Sequence, residues 1–320
     1  MSHNKHDSLK IVEGYVTVDD GVRLYYRKVG EGAKILIVPN ALYLFEDFKQ
    51  LAEGPDRTVI FYDMRNRGRS DSITDPEKLR RGILLDVEDL EKIRLHFNAG
   101  KIDLIGHSYL GLMVVLYTLK YPDVVHRVIQ IGAAPLKFDT EYPEHLAAPD
   151  RESVPGAADL EALKKLEESG YHTSHPTEFS QKWWAVVKTT LVTNSEDAVK
   201  IGDECLDYPN EWALNQQKHF RENIVPSINQ LDISIDDLKR VSHPVLTIHG
   251  TMDRGVPYGS GREWAFNLPD ARLVTIEGAA HLPWIEAPEL VFQSIKTFLA
   301  GTWPETAERV QSIDPKNSHA

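Results

Sequence analysis

The chain has 320 residues, 42% of them hydrophobic and 26% charged, so it can bury a large core as one domain or as one domain with an insertion. Its 36 basic and 48 acidic residues give a formal charge of -12, which disfavours nucleic acid and anionic membranes as partners. The single cysteine, Cys205, cannot form an internal disulfide, and neither a secretory signal nor a bilayer-spanning apolar run is visible. We therefore expect a cytoplasmic protein with a small-molecule substrate, no nucleic acid and no membrane partner; its oligomeric state stays open.

Two alternating runs, IVEGYVTV and VRLYYRKV, flank the turn signal DDG and predict a β-hairpin at the edge of a sheet. Six nearly continuous apolar runs follow, as is typical of strands buried on both faces of a parallel sheet: KILIVP, TVIFYD, KIDLIG, RVIQIG, PVLTIHG and RLVTIEG. Between them lie segments with helical periodicity: FEDFKQLAE, LRRGILLDVEDLEKIRLHF, YLGLMVVLYTLKYP, SGREWAFNL and LVFQSIKTFLA. This alternation predicts an α/β fold with a mostly parallel, twisted sheet flanked by helices.

About a hundred residues, 136–242, separate the fourth of these runs from the fifth without another convincing strand. Four stretches of this insert have the pattern of amphipathic helices: LEALKKLEES, EFSQKWWAVVKTTL, SEDAVKIGDECL and EWALNQQKHFREN. A helical insert at the carboxyl end of a parallel strand lies over the crevice where such sheets bind ligands. We therefore expect a core domain formed by residues 1–135 and 243–320, and a helical cap formed by residues 136–242.

A lone serine, Ser108, lies in GHSYLG where the strand pattern changes to the helix pattern. A strand, a tight turn and a helix, with Gly106 two positions before the serine, form the context of a nucleophile elbow. A serine hydroxyl needs a histidine to remove its proton, and the histidine needs a carboxylate to orient it. Asp253 follows the fifth apolar run and His281 follows the sixth, which gives the chain order Ser, Asp, His.

With these motifs the sequence resembles the α/β-hydrolase fold superfamily of serine hydrolases, in the capped branch that includes carboxylesterases, carbon-carbon bond hydrolases and proline iminopeptidases. The likeness covers nearly the whole chain outside the insert and rests on GHS, YDMRNRGRSD, GTMDRGVP and EGAAHLPWIEAPE. The resemblance implies a catalytic triad of Ser108, Asp253 and His281, with no cofactor and no metal. It also implies an oxyanion hole formed by the backbone amides of Ala41 and Tyr109.

Two positions depart from the family pattern. The family commonly has a small residue two positions after the nucleophile, where this chain has Leu110 followed by Gly111. Relatives carry His-Gly after the third strand, where this chain carries Pro39, Asn40 and then Ala41. Asparagine tolerates a positive φ better than other residues except glycine, so we expect Asn40 to preserve the turn and to aim the Ala41 amide inward.

The insert contains further candidate binding residues. Its tryptophans either line a substrate pocket or anchor the insert: Trp183, Trp184 and Trp212. Its acidic residues either bind a substrate amino group, as in the iminopeptidases that the chain resembles, or form a solvated face: Glu204, Asp207, Glu211 and Glu222. His172 and His175 lack the HExxH pattern of a metal site.

Three functions are compatible with these residues. The first is a serine hydrolase that cleaves a carboxylic ester or a related acyl bond of a small, fairly apolar molecule through an acyl-enzyme. The second is an aminopeptidase that resembles the proline iminopeptidases and uses the same chemistry. The third is a ligand-binding receptor with negligible turnover, which the unusual VPNALYL segment favours. A serine at the elbow argues against epoxide hydrolases and haloalkane dehalogenases, because these need a carboxylate nucleophile.

Overall fold

A computed structural model of the protein describes residues 9–149, 157–207 and 217–317. Its strands form one sheet in the order β1-β2-β4-β3-β5-β6-β7-β8. The strands are β1 Ile11–Thr17, β2 Arg23–Val29, β3 Lys34–Pro39, β4 Arg57–Tyr62, β5 Ile102–His107, β6 Val125–Ile131, β7 Val245–Gly250 and β8 Ala271–Ile276. The α-helices are α1 Ala41–Phe48, α2 Pro76–Arg81, α3 Ile83–His96, α4 Tyr109–Lys120, α5 Ala157–Glu168, α6 Tyr171–Ser174, α7 Pro176–Thr190, α8 Val225–Asn229, α9 Ile235–Leu238, α10 Tyr258–Asn267, α11 Pro283–Glu286 and α12 Pro288–Leu299.

The sheet is mostly parallel, as the sequence predicts. Strands β1 and β2 form the expected antiparallel edge hairpin, and β2 pairs antiparallel with β4. All remaining pairs, from β4 through β3 to β8, are parallel. Along β3, Leu36 and Val38 pack in the core on one face and Ile37 packs in the core on the other. Because helices cover both faces, the central strands read as continuous apolar runs.

The helix predicted across residues 79–97 is interrupted. Gly82 has φ 45° and ends α2, and α3 begins at the next residue. The Ser227 hydroxyl lies against Gly82, where a Cβ would be only 2.1 Å from it, and it accepts a hydrogen bond from the Ile83 amide. The interruption therefore lets α8 approach the start of α3, a long-range contact that the periodicity of α3 alone does not show.

The segment SEDAVKIGDECL also differs from its prediction as an amphipathic helix. It forms two 3₁₀ turns, Ser195–Lys200 and Glu204–Asp207. The backbone is extended at Ile201, and Gly202, a poor helix former, follows it. EWALNQQKHFREN lies partly outside the described residues, and its end forms a π-helical turn at Phe220–Ile224.

The insert contacts the loops at the carboxyl ends of β7 and β8. The Leu191 carbonyl accepts a hydrogen bond from the Leu282 amide, and the Val192 carbonyl accepts one from the Arg254 guanidinium. Over residues 136–149, 157–207 and 217–242 the insert contains no strand. None of the described helices is long and apolar enough to cross a membrane.

The turn between β5 and α4 holds Ser108 in a strained conformation. Ser108 has φ 60° and ψ -131°, a region that residues with a side chain rarely adopt. The Ser108 amide donates to the Ile131 carbonyl over 2.9 Å, and the Ser108 carbonyl accepts from the Ala134 amide over 3.1 Å. The end of β6 thus fixes the turn, and the Ser108 side chain is only partly buried.

Gly111 provides the close approach that the family obtains from a small residue one position earlier. A Cβ added at Gly111 would lie 2.5 Å from the Ala133 Cβ, so α4 and the end of β6 meet there. Leu110, by contrast, is buried among the apolar side chains of the core. The departure at Leu110 is therefore accommodated by a one-residue shift of the contact between helix and strand.

We expect Gly111→Ala to destabilise the protein by about 1–3 kcal/mol, because the new methyl group overpacks the contact with Ala133. Gly100→Ala is the matched control, since a Cβ at Gly100 has no atom within 4 Å and φ there is not positive. Urea unfolding of both variants measures the difference. Equal stability of the two variants would show that α4 does not depend on this close approach.

Candidate active site

Asp253 and His281 lie on the loops that follow β7 and β8, and their side chains are in direct contact. His281 Nδ1 is 2.7 Å from Asp253 Oδ2. The Gly255 and Val256 amides donate to the other oxygen, Oδ1, over 2.8 Å each. Asp253 is fully buried, and His281 is buried except for a small exposed fraction. Because Nδ1 faces the carboxylate, Nε2 is the His281 nitrogen that remains for a substrate or a nucleophile.

The Asp253 carboxylate is held in its ionised form. Burial opposes its ionisation, but the charge of His281 and hydrogen bonds from His249 and His281 outweigh burial and lower the Asp253 pKa below its usual range. His249 Nε2 lies 3.4 Å from Asp253 Oδ2 and 3.1 Å from the Val256 carbonyl oxygen. His249 lies at the end of β7, and its contact with Asp253 is a finding of the structure that the sequence motifs do not indicate.

Ser108 and His281 line one cavity of about 230 Å³. Among the residues that the structure describes, neither the Ser108 hydroxyl nor His281 Nε2 has a hydrogen-bond partner. The cavity thus contains an alcohol and an imidazole nitrogen that both lack a hydrogen-bond partner among the described residues. Catalytic hydrogen bonds often tighten only when a substrate binds.

His107 supports His281 from the other side. Its Nε2 is 3.1 Å from the His281 carbonyl oxygen, and the two rings have centroids 4.5 Å apart. Burial, together with the charge of His281, lowers the His107 pKa to about 3. His107 is therefore neutral at physiological pH, and its uncharged Nε2–H can donate to that carbonyl.

The loop after β3 has the turn that we expect. Asn40 has φ 80° and ψ 56°, and α1 begins at Ala41. The Leu42 amide donates to Asp63 Oδ1 over 2.8 Å, and the Tyr43 amide donates to the Asn40 carbonyl over 3.2 Å. Since the first amides of a helix have no acceptor within it, the Ala41 amide is left for another partner.

The Tyr109 amide has the same property at the start of α4, and Tyr109 lines the cavity with Ser108. Ala41 lines a smaller adjoining cavity of about 170 Å³, and Leu42 lines both. The structure therefore places the two predicted oxyanion donors at the ends of two helices beside neighbouring cavities.

Asp63, which begins the motif after β4, holds the Asn40 turn in place. It is fully buried, and its two oxygens accept from the Leu42 and Arg69 amides. Burial raises the Asp63 pKa to about 6, although these two amides favour the charged form. The sequence signal for this anchoring role of Asp63 is the first aspartate of YDMRNRGRSD.

Two of the insert tryptophans line the cavity, as expected for a pocket. Trp183 and Trp184 pack with ring centroids 6.3 Å apart, and Trp184 also contacts Tyr43 of α1 at 5.5 Å. The Trp184 indole donates to the Gly202 carbonyl, so it also anchors the insert. Trp212 and Glu211 lie outside the described residues, as does the side chain of Asp207.

Glu222 does not line the cavity. Glu222 is exposed on the π-helical turn, whereas Phe220, two positions earlier, lines the cavity. Residues two positions apart on a helical turn point in different directions, which explains the difference. Two acidic residues that do line it are Glu204 of the insert and Asp47 of α1. Asp47 accepts from the Trp284 indole, and burial, opposed by that bond, raises the Asp47 pKa.

Near Tyr109 a further carboxyl group, that of Asp86, is buried with only partial compensation from the charges of Arg67 and Arg65 and a hydrogen bond with Tyr109. Asp86 of α3 is fully buried, and its Oδ2 has no hydrogen-bond partner within the described ranges. Burial and the charge of Asp89 raise the Asp86 pKa to about 8. Asp86 is therefore mostly protonated at neutral pH.

No group of three or more His, Cys, Asp or Glu side chains is arranged to hold a metal ion in the part of the chain that the structure describes.

Asp86 should make stability fall as pH rises. The unfolded chain ionises Asp86 near its ordinary pKa, whereas the folded protein keeps the proton up to about pH 8, so the stabilisation is full below pH ~4 and is lost between these values. When the pH rises from about 5 to 7, the unfolding free energy of the wild type should fall by about 1–3 kcal/mol more than that of Asp86→Asn, because only the wild type must keep a proton on residue 86. Urea unfolding at both pH values tests this. The control Asp236→Asn, at an exposed carboxylate, should keep the pH dependence of stability of the wild type. The same pH dependence in Asp86→Asn would refute the expectation.

Comparison with known proteins places the chain in a family. A family model for the alpha/beta hydrolase fold matches residues 38–288. The chain is 26% identical over 301 residues to a proline iminopeptidase of Heyndrickxia coagulans, covering 90% of this chain and 98% of that protein. It is 25% identical over 298 residues to a bifunctional esterase/perhydrolase of Acinetobacter calcoaceticus, covering 89% and 99%.

An esterase from Exiguobacterium antarcticum has a similar solved structure, with a TM-score of 0.67 at 15% identity, covering 90% of this chain and 100% of that chain. This likeness extends over both the sheet and the insert. Together with the family match across residues 38–288, it identifies the chain as a member of the alpha/beta hydrolase fold family.

Proposed function

We propose that the protein is a serine hydrolase that cleaves a carboxylic ester of a small, fairly apolar molecule. The observation that carries the proposal is the buried hydrogen bond of 2.7 Å between His281 and Asp253, beside a cavity that also exposes the strained Ser108. Similarity to an esterase/perhydrolase over 89% of the chain supports the reaction class.

In the proposed reaction, Ser108 Oγ attacks the ester carbonyl carbon and its proton passes to His281 Nε2. Asp253 orients the imidazole and stabilises its positive charge. The oxyanion accepts hydrogen bonds from the amides of Tyr109 and Ala41. His281 then gives the proton to the leaving alcohol, and a water molecule, deprotonated by His281, releases the acid and restores Ser108. No cofactor takes part.

The insert serves as a cap in this proposal. Apolar side chains of the insert line the cavity that contains Ser108, namely Trp183, Trp184 and Val187 of α7 and Ile201. Leu42 and Tyr43 of α1 line the same cavity from the core domain. Such a lining favours an apolar acyl or alcohol group and excludes water from the oxyanion.

Ser108→Ala should abolish ester hydrolysis and labelling by a fluorophosphonate probe, because both need the serine oxygen. Ser169→Ala, at an exposed serine of the insert, is the control and should keep both. Hydrolysis of nitrophenyl butyrate and mass spectrometry of the labelled protein provide the measurements. Failure of the folded wild type to label, with no turnover, would favour the receptor function instead.

Asp253→Asn should lower kcat by up to about ten-thousand-fold, because the amide no longer fixes the His281 tautomer or stabilises its cation. Circular dichroism should show a folded protein. Activity near the wild-type level would mean that another carboxylate serves His281 and that the proposed triad is incorrect.

An aminopeptidase is the second candidate, and one observation favours it. Asp47 and Glu204 bring carboxylates into the cavity with Ser108, where they could bind a substrate ammonium group. The relative from Heyndrickxia coagulans is named a proline iminopeptidase. The ester function is preferred because the rest of the cavity wall is largely apolar and aromatic.

Nitrophenyl butyrate and prolyl nitroanilide separate the two candidates. We expect faster cleavage of the ester, with little change in Glu204→Gln or in the control Asp203→Asn, whose exposed carboxylate pairs with Lys188. Faster cleavage of the nitroanilide that Glu204→Gln abolishes and Asp203→Asn does not would establish the aminopeptidase instead.

A further inference from the structure

Arg67 is an arginine of the cavity that forms no salt bridge with any residue that the structure describes. Arg67 lines the cavity with Ser108, and its guanidinium lies 5.5 Å from the centroid of the Tyr109 ring. Within residues 9–149, 157–207 and 217–317 no carboxylate forms a salt bridge with Arg67. Arg65, two positions earlier, is by contrast bound to Asp89 at 2.6 Å. The half-buried Arg67 therefore presents to the cavity a guanidinium that has no salt bridge among the described residues.

The charge of Arg67 acts on two buried carboxyl groups, Asp63 and Asp86, but in the described ranges neither forms a salt bridge with it. Asp86, whose ionisation the charge of Arg67 favours, nevertheless keeps its proton at neutral pH, because burial and the charge of Asp89 raise its pKa to about 8. His219 of the insert adds no negative charge, and burial together with the charge of Arg67 lowers its pKa to about 4. Asp63 directs its two oxygens to the Leu42 and Arg69 amides rather than to the Arg67 guanidinium.

The geometry at Arg67 suits an anionic group of a substrate. A guanidinium over an aromatic ring is held in one orientation, and its planar set of donors matches the two oxygens of a carboxylate. The Gln217 side chain and Phe220 line the same cavity from the insert. Asp47 and Glu204 are the acidic residues that line this cavity, and among the described residues neither forms an ion pair with Arg67.

We propose that Arg67 is a specificity-determining residue that binds a free carboxylate of the substrate. The natural substrate is then an ester whose acyl or alcohol part also carries a carboxylate. The assignment of an ester rests on the proposed function, whereas the carboxylate site is a binding property that can be measured without turnover.

Binding of phenylbutyrate and of its neutral amide, phenylbutyramide, to the Ser108→Ala protein tests the site directly by calorimetry. We expect the carboxylate to bind about 10- to 100-fold more tightly than the amide, as for a charge-assisted hydrogen-bonded pair. Arg67→Gln in the same background should reduce this ratio to about one and leave the amide affinity unchanged. Equal binding of the two probes to the protein with Arg67, or a ratio that survives Arg67→Gln, overturns the proposal.

Two further variants separate binding by Arg67 from a merely structural role. Arg67→Lys keeps the charge without the planar donor set and should retain part of the preference for the carboxylate. Arg221→Gln removes an exposed cation of the neighbouring turn, which pairs with Glu167, and should retain all of it. If Arg67→Gln does not fold, the probe ratio in the protein with Arg67 and its partial loss in Arg67→Lys still decide the question.

Kinetics distinguish this inference from the proposed function. Mono-nitrophenyl adipate should have a KM about 10- to 100-fold lower than its methyl ester, and Arg67→Gln should raise only the KM of the anionic substrate. Carboxylate binding without hydrolysis of either ester would leave the Arg67 site intact and refute the esterase. Hydrolysis of both esters with equal KM values would support the esterase and refute the Arg67 site.

Discussion

The contact between His281 Nδ1 and Asp253 Oδ2 is the interaction on which the rest of the site depends. A fully buried carboxylate is costly unless hydrogen bonds and an opposite charge compensate it. Here two loop amides, His249 and His281 do so, and together they keep the Asp253 pKa low despite its burial. Any movement of the β7 loop would leave this charge uncompensated, so the geometry of the loop and the ionisation of Asp253 stabilise each other.

The parallel sheet explains why residues far apart in sequence meet there. Strands β5, β6, β7 and β8 are successive neighbours, so the loops at their carboxyl ends lie side by side. Ser108, Asp253 and His281 each follow one of these strands. Their approximate positions could be predicted from the strand order alone, because the apolar runs define the strands and parallel pairing brings the loop ends together.

The details that the sequence did not predict depend on contacts between distant segments. Periodicity could not show that the helix would break at Gly82 and pack there against Ser227, or that Gly111 rather than the preceding residue would meet Ala133. In the insert, the sequence does not determine which side chains face the cavity. Glu204 lines it and Glu222 does not, because short turns take their orientation from what they pack against.

Arg67 illustrates the same limit within a recognisable motif. YDMRNRGRSD contains three arginines that are equivalent in the sequence, but the fold gives Arg65 a buried partner and places Arg67 in the cavity. With a formal charge of -12 the protein as a whole repels anions, although salt screens that field beyond about 8 Å at physiological ionic strength. Long-range attraction therefore cannot concentrate an anionic substrate at the site. Selection of a carboxylate would have to come from contact with the guanidinium itself, and it would affect dissociation more than the rate of encounter.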